Sequence, residues 1–135
     1  MPLNETTILA LNHQTDQNQV ISRLLERAGC KVVRAHTGTE ALALAAQQPS
    51  LILLDVHLPD VNGFEVCRRL RSTETTAQIR VLFVSDTPQD YAPVDMAEAA
   101  GADGFLFHPV QEQQLLSAIE GKIAKSKAFT AGAGT

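Results

Sequence analysis

Five short apolar runs alternate with five amphipathic stretches along this chain, and that alternation narrows the fold more than any single motif. Strands are expected at Thr6–Leu11, Lys31–Ala35, Ser50–Asp55, Ile79–Ser85 and Gly104–Phe107. Helices are expected at Asp16–Ala28, Gly38–Gln47, Asn62–Ser72, Pro93–Ala100 and Gln111–Lys125. In the first helix Val20, Ile21, Leu24, Leu25 and Ala28 share one face, the period of a helix packed on a core. Gly29 then supplies a helix stop. Thr37 with Glu40 fits a capping box that opens the second helix. Leu115, Leu116, Ile119 and Ile123 form the buried stripe of the last helix. Strict β–α alternation implies a parallel sheet with helices on both faces.

Bulk properties fit that class. A chain of 135 residues with 44% hydrophobic and 19% charged content can bury a core and is not disordered. Residues 1–125 are expected to form one domain, and 126–135, ending Ala-Gly-Ala-Gly-Thr, a flexible tail or the start of a linker. The net charge of −4 argues against a nucleic-acid-binding surface. No stretch has the length and apolarity of a membrane span. The opening Met1-Pro2-Leu3-Asn4-Glu5 lacks the basic and apolar regions of a signal peptide. Cys30 and Cys67 have no metal-type spacing and read as reduced thiols of a cytoplasmic protein.

The most informative single residue is Asp55. It ends the run Leu51-Ile52-Leu53-Leu54 and precedes Val56-His57-Leu58-Pro59-Asp60-Val61-Asn62-Gly63. A run this apolar reads as a strand buried on both faces. A carboxylate at its C-terminal end sits where open α/β sheets place their chemistry.

Read together, the segments resemble response-regulator receiver domains over roughly Thr7 to Lys122. The loop after Asp55 is similar to the family's phosphoacceptor loop. Leu24-Leu25-Glu26-Arg27-Ala28-Gly29 followed by Lys31-Val32-Val33 resembles its first helix running into its second strand. Gly38-Thr39-Glu40-Ala41-Leu42 resembles the start of the second helix, and Val81-Leu82-Phe83-Val84-Ser85 the fourth strand. Gly101-Ala102-Asp103-Gly104-Phe105-Leu106-Phe107-His108-Pro109 resembles the fifth strand. The resemblance implies a flavodoxin-like doubly wound sheet of order 2-1-3-4-5. It implies Asp55 as phosphoacceptor, Ser85 as hydroxyl donor to the phosphoryl group, and Phe105 as the aromatic residue that rotates on activation. It also implies Mg²⁺ as cofactor, held in part by Asp55. The implied partners are a histidine kinase or an attached signalling domain, met through the fourth helix, fifth strand and fifth helix, where Tyr91, Val94 and Met96 lie. Self-association into a homodimer is left open, and no enzyme activity of its own is expected.

The departures from the family fall at the site itself. Where receivers carry two adjacent acids after the first strand, this chain has Asn12 and His13; where they carry a lysine before Pro109, it has His108. Asp86 follows Ser85 in place of a small residue. Phosphoryl transfer to a carboxylate relies on positioning and on charge stabilisation by Mg²⁺ and a cation. Mg²⁺ prefers oxygen ligands, typically including one or two carboxylates. Asn12 offers a neutral oxygen and His13 a nitrogen. His108, with a reference pKa of about 6.5, lacks much of lysine's charge near neutrality. An Asp86 carboxylate about 6 Å from a phosphorylated Asp55 would add repulsion on the order of 2–3 kcal/mol per charge. Weak or absent Mg²⁺-dependent phosphorylation is therefore expected.

Two alternatives differ in class. One is an ordinary phosphoacceptor that tolerates its altered site. The other is a transition-metal-responsive module in which His13, His36, His57 and His108 join Asp55 and Asp86, since imidazole suits Zn²⁺ better than Mg²⁺. Asp55-Val56-His57 is also similar to the Asp-x-His pair of cobalamin-binding domains, but Asp60 stands where that motif needs glycine and the motif follows the third strand. A nucleotide- or flavin-binding module is not expected, because the first turn, Asn12-His13-Gln14-Thr15-Asp16, contains no glycine.

Overall fold

The computed structural model describes residues 6–11, 16–55, 62–85, 94–107 and 111–121. Strand β1 (Thr7–Leu11) leads to helix α1 (Asp16–Arg27), β2 (Lys31–Ala35), α2 (Gly38–Ala45) and β3 (Leu51–Asp55). Then come α3 (Gly63–Ser72), β4 (Arg80–Ser85), α4 (Val94–Ala100), β5 (Gly104–Phe107) and a helix over 112–121, α5. The five strands are parallel in the order β2-β1-β3-β4-β5, the doubly wound arrangement expected. Central strand β3 pairs Leu51–Leu54 with Ile8–Leu11 on one side and Leu51–Asp55 with Arg80–Val84 on the other.

Alternate residues along each inner strand serve two separate cores, as the two-residue period of a strand requires. Ile8, Leu51, Leu53, Leu82, Val84 and Leu106 face α1 and α5, where they meet Ile21, Leu25, Leu115 and Ile119. Leu9, Leu11, Ile52, Leu54, Val81 and Phe83 face α2, α3 and α4. A run apolar at every position is thus explained by burial on both faces. Cys30 and Cys67 are free and buried, and burial pushes both thiols up from their ordinary pKa.

Helix ends follow local chemistry. Gly29, at φ 99°, closes α1 with bonds from its own N–H to the Glu26 carbonyl (3.1 Å) and from the Cys30 N–H to the Leu25 carbonyl (3.0 Å). That is the Schellman pattern, and the left-handed residue it needs is cheapest as glycine. The Thr37 hydroxyl accepts from the Glu40 N–H at 3.1 Å, as the capping box requires. The reciprocal bond is shifted by one residue: the Glu40 carboxylate takes the His36 N–H at 2.8 Å.

The buried face of α1 differs from the expected one. Val20 is 50% exposed, whereas Ser22 is 1% exposed. Successive helical residues are about 100° apart. The stripe is therefore centred on Ile21, Leu25 and Ala28, with Ser22 at one margin and Val20 beyond the other. Leu116 is only partly buried, and Ile123 lies outside the described residues. α2 stops at Ala45, short of the expected Gln47.

Leu53 is 4% exposed and sits at the centre of the α1–α5 core. Leu53→Ala is expected to cost about 2–5 kcal/mol, because a central strand cannot collapse into the cavity. Urea unfolding checks this, and a loss under about 1 kcal/mol would contradict the two-sided burial of β3.

Candidate functional site

Asp55 is the first residue of β3 to emerge from the cores. The four residues before it are buried and it is half-buried. Its register partner on β4 is Val84, so the next position at that edge is Ser85, itself opposite Phe107 of β5. On the other side Leu11, the last residue of β1, pairs with Leu54. The C-terminal ends of β1, β3 and β4 therefore converge within about one residue of Asp55.

Helix α3 returns tightly over this edge. Asn62 caps it, its side-chain oxygen accepting the Glu65 N–H at 2.8 Å. Gly63, the first helical residue, is pressed so close that an added Cβ would lie 2.3 Å from the Asp55 carbonyl oxygen and 2.9 Å from the Phe83 ring. Only glycine permits that approach. Along the outside of the first turns Glu65 pairs with Arg69 at 3.0 Å and Arg68 at 3.4 Å, and the Arg69 guanidinium chiefly holds its carboxyl below the usual value. These exposed pairs add little stability.

A row of aromatic rings runs from α3 to the far edge of the sheet. Phe64 lies 5.3 Å from Phe83 between ring centroids, and Phe83 lies 5.9 Å from Phe105 with the planes 24° apart. Phe105 lines a cleft of about 300 Å³ beside the edge strand β5, together with Val94, Ala97, Glu98, Ala102 and Asp103.

The base of that cleft is tied down at the N-terminal end of the strands. Arg71 of α3 donates to the carbonyls of Ile79 (2.6 Å), Gly101 (2.9 Å) and Ala77 (3.0 Å), and to the Asp103 carboxylate (2.9 Å). Asp103 also accepts from Arg80 at 3.2 Å and from the Val81 N–H at 2.8 Å. One guanidinium and one carboxylate thus join α3, the α3–β4 connection and the α4–β5 turn. Such charge-assisted bonds, partly screened from water, are the strong ones.

The sequence profile of the response regulator receiver domain matches residues 8–120. The chain belongs to the receiver domain family. Among curated relatives, the DNA-binding dual master transcriptional regulator RpaA of a Synechocystis strain is 36% identical over 120 residues, spanning 88% of this chain and 49% of RpaA. Protein PilH of Pseudomonas aeruginosa is 31% identical over 118 residues, spanning 87% of this chain and 97% of PilH. The chain therefore spans about half the length of some relatives it matches and nearly all of another. Among solved structures, a putative response regulator from Chloroflexus aurantiacus superposes with a TM-score of 0.83 at 27% identity, over 88% of this chain and 98% of that one.

Receiver domains are signalling modules of two-component systems that interact with histidine kinases and other signalling domains. They typically bind Mg²⁺ in their active site. In this receiver domain the structure brings Asp55 and the backbone of Ser85 to one sheet edge and places Phe105 at the cleft. Asn12, His13, His57, Asp86, Tyr91 and His108 lie outside the described residues. Of the residues considered for a transition metal, His36 and Asp55 are therefore the two within them. His36 is exposed at the end of β2, and no group of three metal-binding side chains occurs among the described residues. No helix among them is long and apolar enough to cross a membrane.

Three residues of this architecture were not identified from sequence. Arg71 and Asp103 stand 32 positions apart, and charged side chains ordinarily read as solvated. Gly63 did carry a signal, a glycine at a helix start after the segment that follows Asp55, but its close approach depends on how α3 meets β3 and β4. Asp103→Ala is expected to cost about 1.5–3 kcal/mol in urea unfolding, since it strips hydrogen bonds from two arginines and a backbone N–H. A cost of about 0.5 kcal/mol or less would mark the network as no stronger than an exposed ion pair.

Proposed function

We propose that this receiver domain acts as a regulatory protein-interaction module whose state is set by its partner or attached domain, with Mg²⁺-dependent phosphorylation of Asp55 weak or absent. The observation that carries this reading is the contrast between scaffold and chemistry. The scaffold around Asp55 is well formed: a half-buried carboxylate at a strand end, the Gly63 approach and the aromatic row. The charged groups that phosphoryl chemistry needs are replaced by Asn12, His13 and His108. The donor set of one carboxylate, one amide and one imidazole does not fit Mg²⁺, a hard ion with a near-octahedral preference for oxygen. The interaction face is the α4–β5–α5 side, where the cleft offers a partner a mixed surface, apolar at Val94, Ala97, Ala102 and Phe105 and acidic at Glu98 and Asp103. Should a phosphoryl group reach Asp55, Ser85 is the hydroxyl donor, His108 a pH-dependent cation and Phe105 the reporter of the change.

Intact-mass spectrometry after incubation with a small-molecule phosphodonor and Mg²⁺, beside Asp55→Ala, tests this directly. No mass gain in the folded parent is expected. A gain of one phosphoryl group in the parent alone would establish an ordinary phosphoacceptor. The combined variant Asn12→Asp, His13→Asp, His108→Lys is expected to gain Mg²⁺ affinity by calorimetry, because it restores two carboxylates beside Asp55. A folded variant that still fails to bind Mg²⁺ would mean that more than side-chain identity has changed at the site.

A further inference from the structure

Strand β2 ends the sheet on one side, and its outer edge has no strand neighbour among the described residues. Lys31 stands opposite Thr7 of β1, and its N–H donates to the Thr6 carbonyl at 2.8 Å. In a parallel ladder alternate residues turn their peptide groups to the same neighbour. Lys31, Val33 and Ala35 therefore face β1, and the N–H and C=O groups of Val32 and Arg34 point outward. Such a row is a template for an added strand.

Two further features bear on what that strand is. Lys31 and Arg34 are exposed, and among the described residues neither forms an ion pair. The arginines of α3 and β4 differ: Arg68 and Arg69 pair with Glu65, and Arg71 and Arg80 with Asp103. On the face of the sheet that carries α2, a cavity of about 220 Å³ opens beside the end of that helix, which stops at Ala45. Leu9, Val33 and Leu44 form its apolar part, and Lys31 and Gln47 line it as well. Pockets for whole small ligands run from about 300 to 1,000 Å³. This smaller space suits one side chain of a segment laid along β2.

We infer that the β2 edge is a docking surface for an extended acidic segment of a partner protein. The segment adds to the sheet through the peptide groups of Val32 and Arg34. An added strand lies about 4.8 Å from its neighbour, so an apolar side chain opposite Val33 falls beside the cavity. Acidic side chains of the segment meet Lys31 on that face and Arg34 on the other. The same two cations select the occupant. A second copy of the chain would set like charges against like, which opposes self-pairing. Residues 122–135 carry Lys122, Lys125 and Lys127 and no acid, so they have the wrong sign. The surface lies at the sheet edge remote from β5, and the inference does not rest on the function proposed above.

The test uses the full chain, labelled with ¹⁵N and ¹³C, and a short capped peptide that alternates valine with glutamate. Neither phosphodonor nor Mg²⁺ is added. NMR titration is expected to give saturable amide shifts at Val32 and Arg34, slower exchange of their N–H groups, and methyl shifts at Val33 and Leu44. The same peptide with lysine in place of glutamate is expected to leave β2 unmoved. Lys31→Glu with Arg34→Glu, both at exposed positions, is expected to weaken the glutamate peptide about ten-fold and to admit the lysine peptide. No saturable shift at β2, or an unchanged affinity in the double variant, overturns the proposal. So does equal binding of a glutamate peptide whose backbone nitrogens are all methylated, because it keeps the charge and loses every donor. Shifts at β2 that grow with protein concentration in the absence of peptide would assign the edge to a second copy and overturn the acidic partner.

Discussion

Burial of β3 on both faces is the constraint from which the rest of this fold follows. Leu51, Ile52, Leu53 and Leu54 are each 4% exposed or less, and they feed two cores alternately. Fully burying an aliphatic side chain is worth roughly 1.5–3 kcal/mol. The strand therefore needs helices on both sides, and only a parallel, doubly wound arrangement supplies them with short connections. Asp55 is then placed by default: it is the first position at which this strand can leave the cores and keep a carboxylate hydrated.

The groups that hold the edge in shape are backbone and apolar: the Gly63 approach, the Asn62 cap, and the row Phe64, Phe83 and Phe105. At the other end of the sheet, Arg71 and Asp103 fix the α4–β5 turn through bonds of their own. The cleft beside β5 is thus anchored at its base and bordered by the part-exposed Phe105 ring.

The strand pattern was legible because burial on two faces demands unbroken apolar runs, and the helix stops at Gly29 and the cap at Thr37 were legible because they are local chemistry. The tilt of α1 was not. Five apolar residues define a stripe about a helix axis, but only contact with the sheet decides that Ser22 turns in and Val20 turns out. The residue identities at positions 12, 13 and 108 carry the proposal of altered chemistry without any geometry. The Arg71–Asp103 pairing was not, because the partners come together only through the crossing of α3 with the α4–β5 turn.

Periodicity and residue identity were enough for the class of fold, the central strand and the place of Asp55 at its end. These are properties of periodicity and of side-chain chemistry, and both are written one residue at a time. The tertiary structure alone decided that Gly63 closes on the Asp55 carbonyl, that Phe83 stands between Phe64 and Phe105, and that Arg71 spans three connections. Each depends on distances between elements remote in the chain. Those distances are set by how the helices settle on a twisted sheet, which no local pattern encodes.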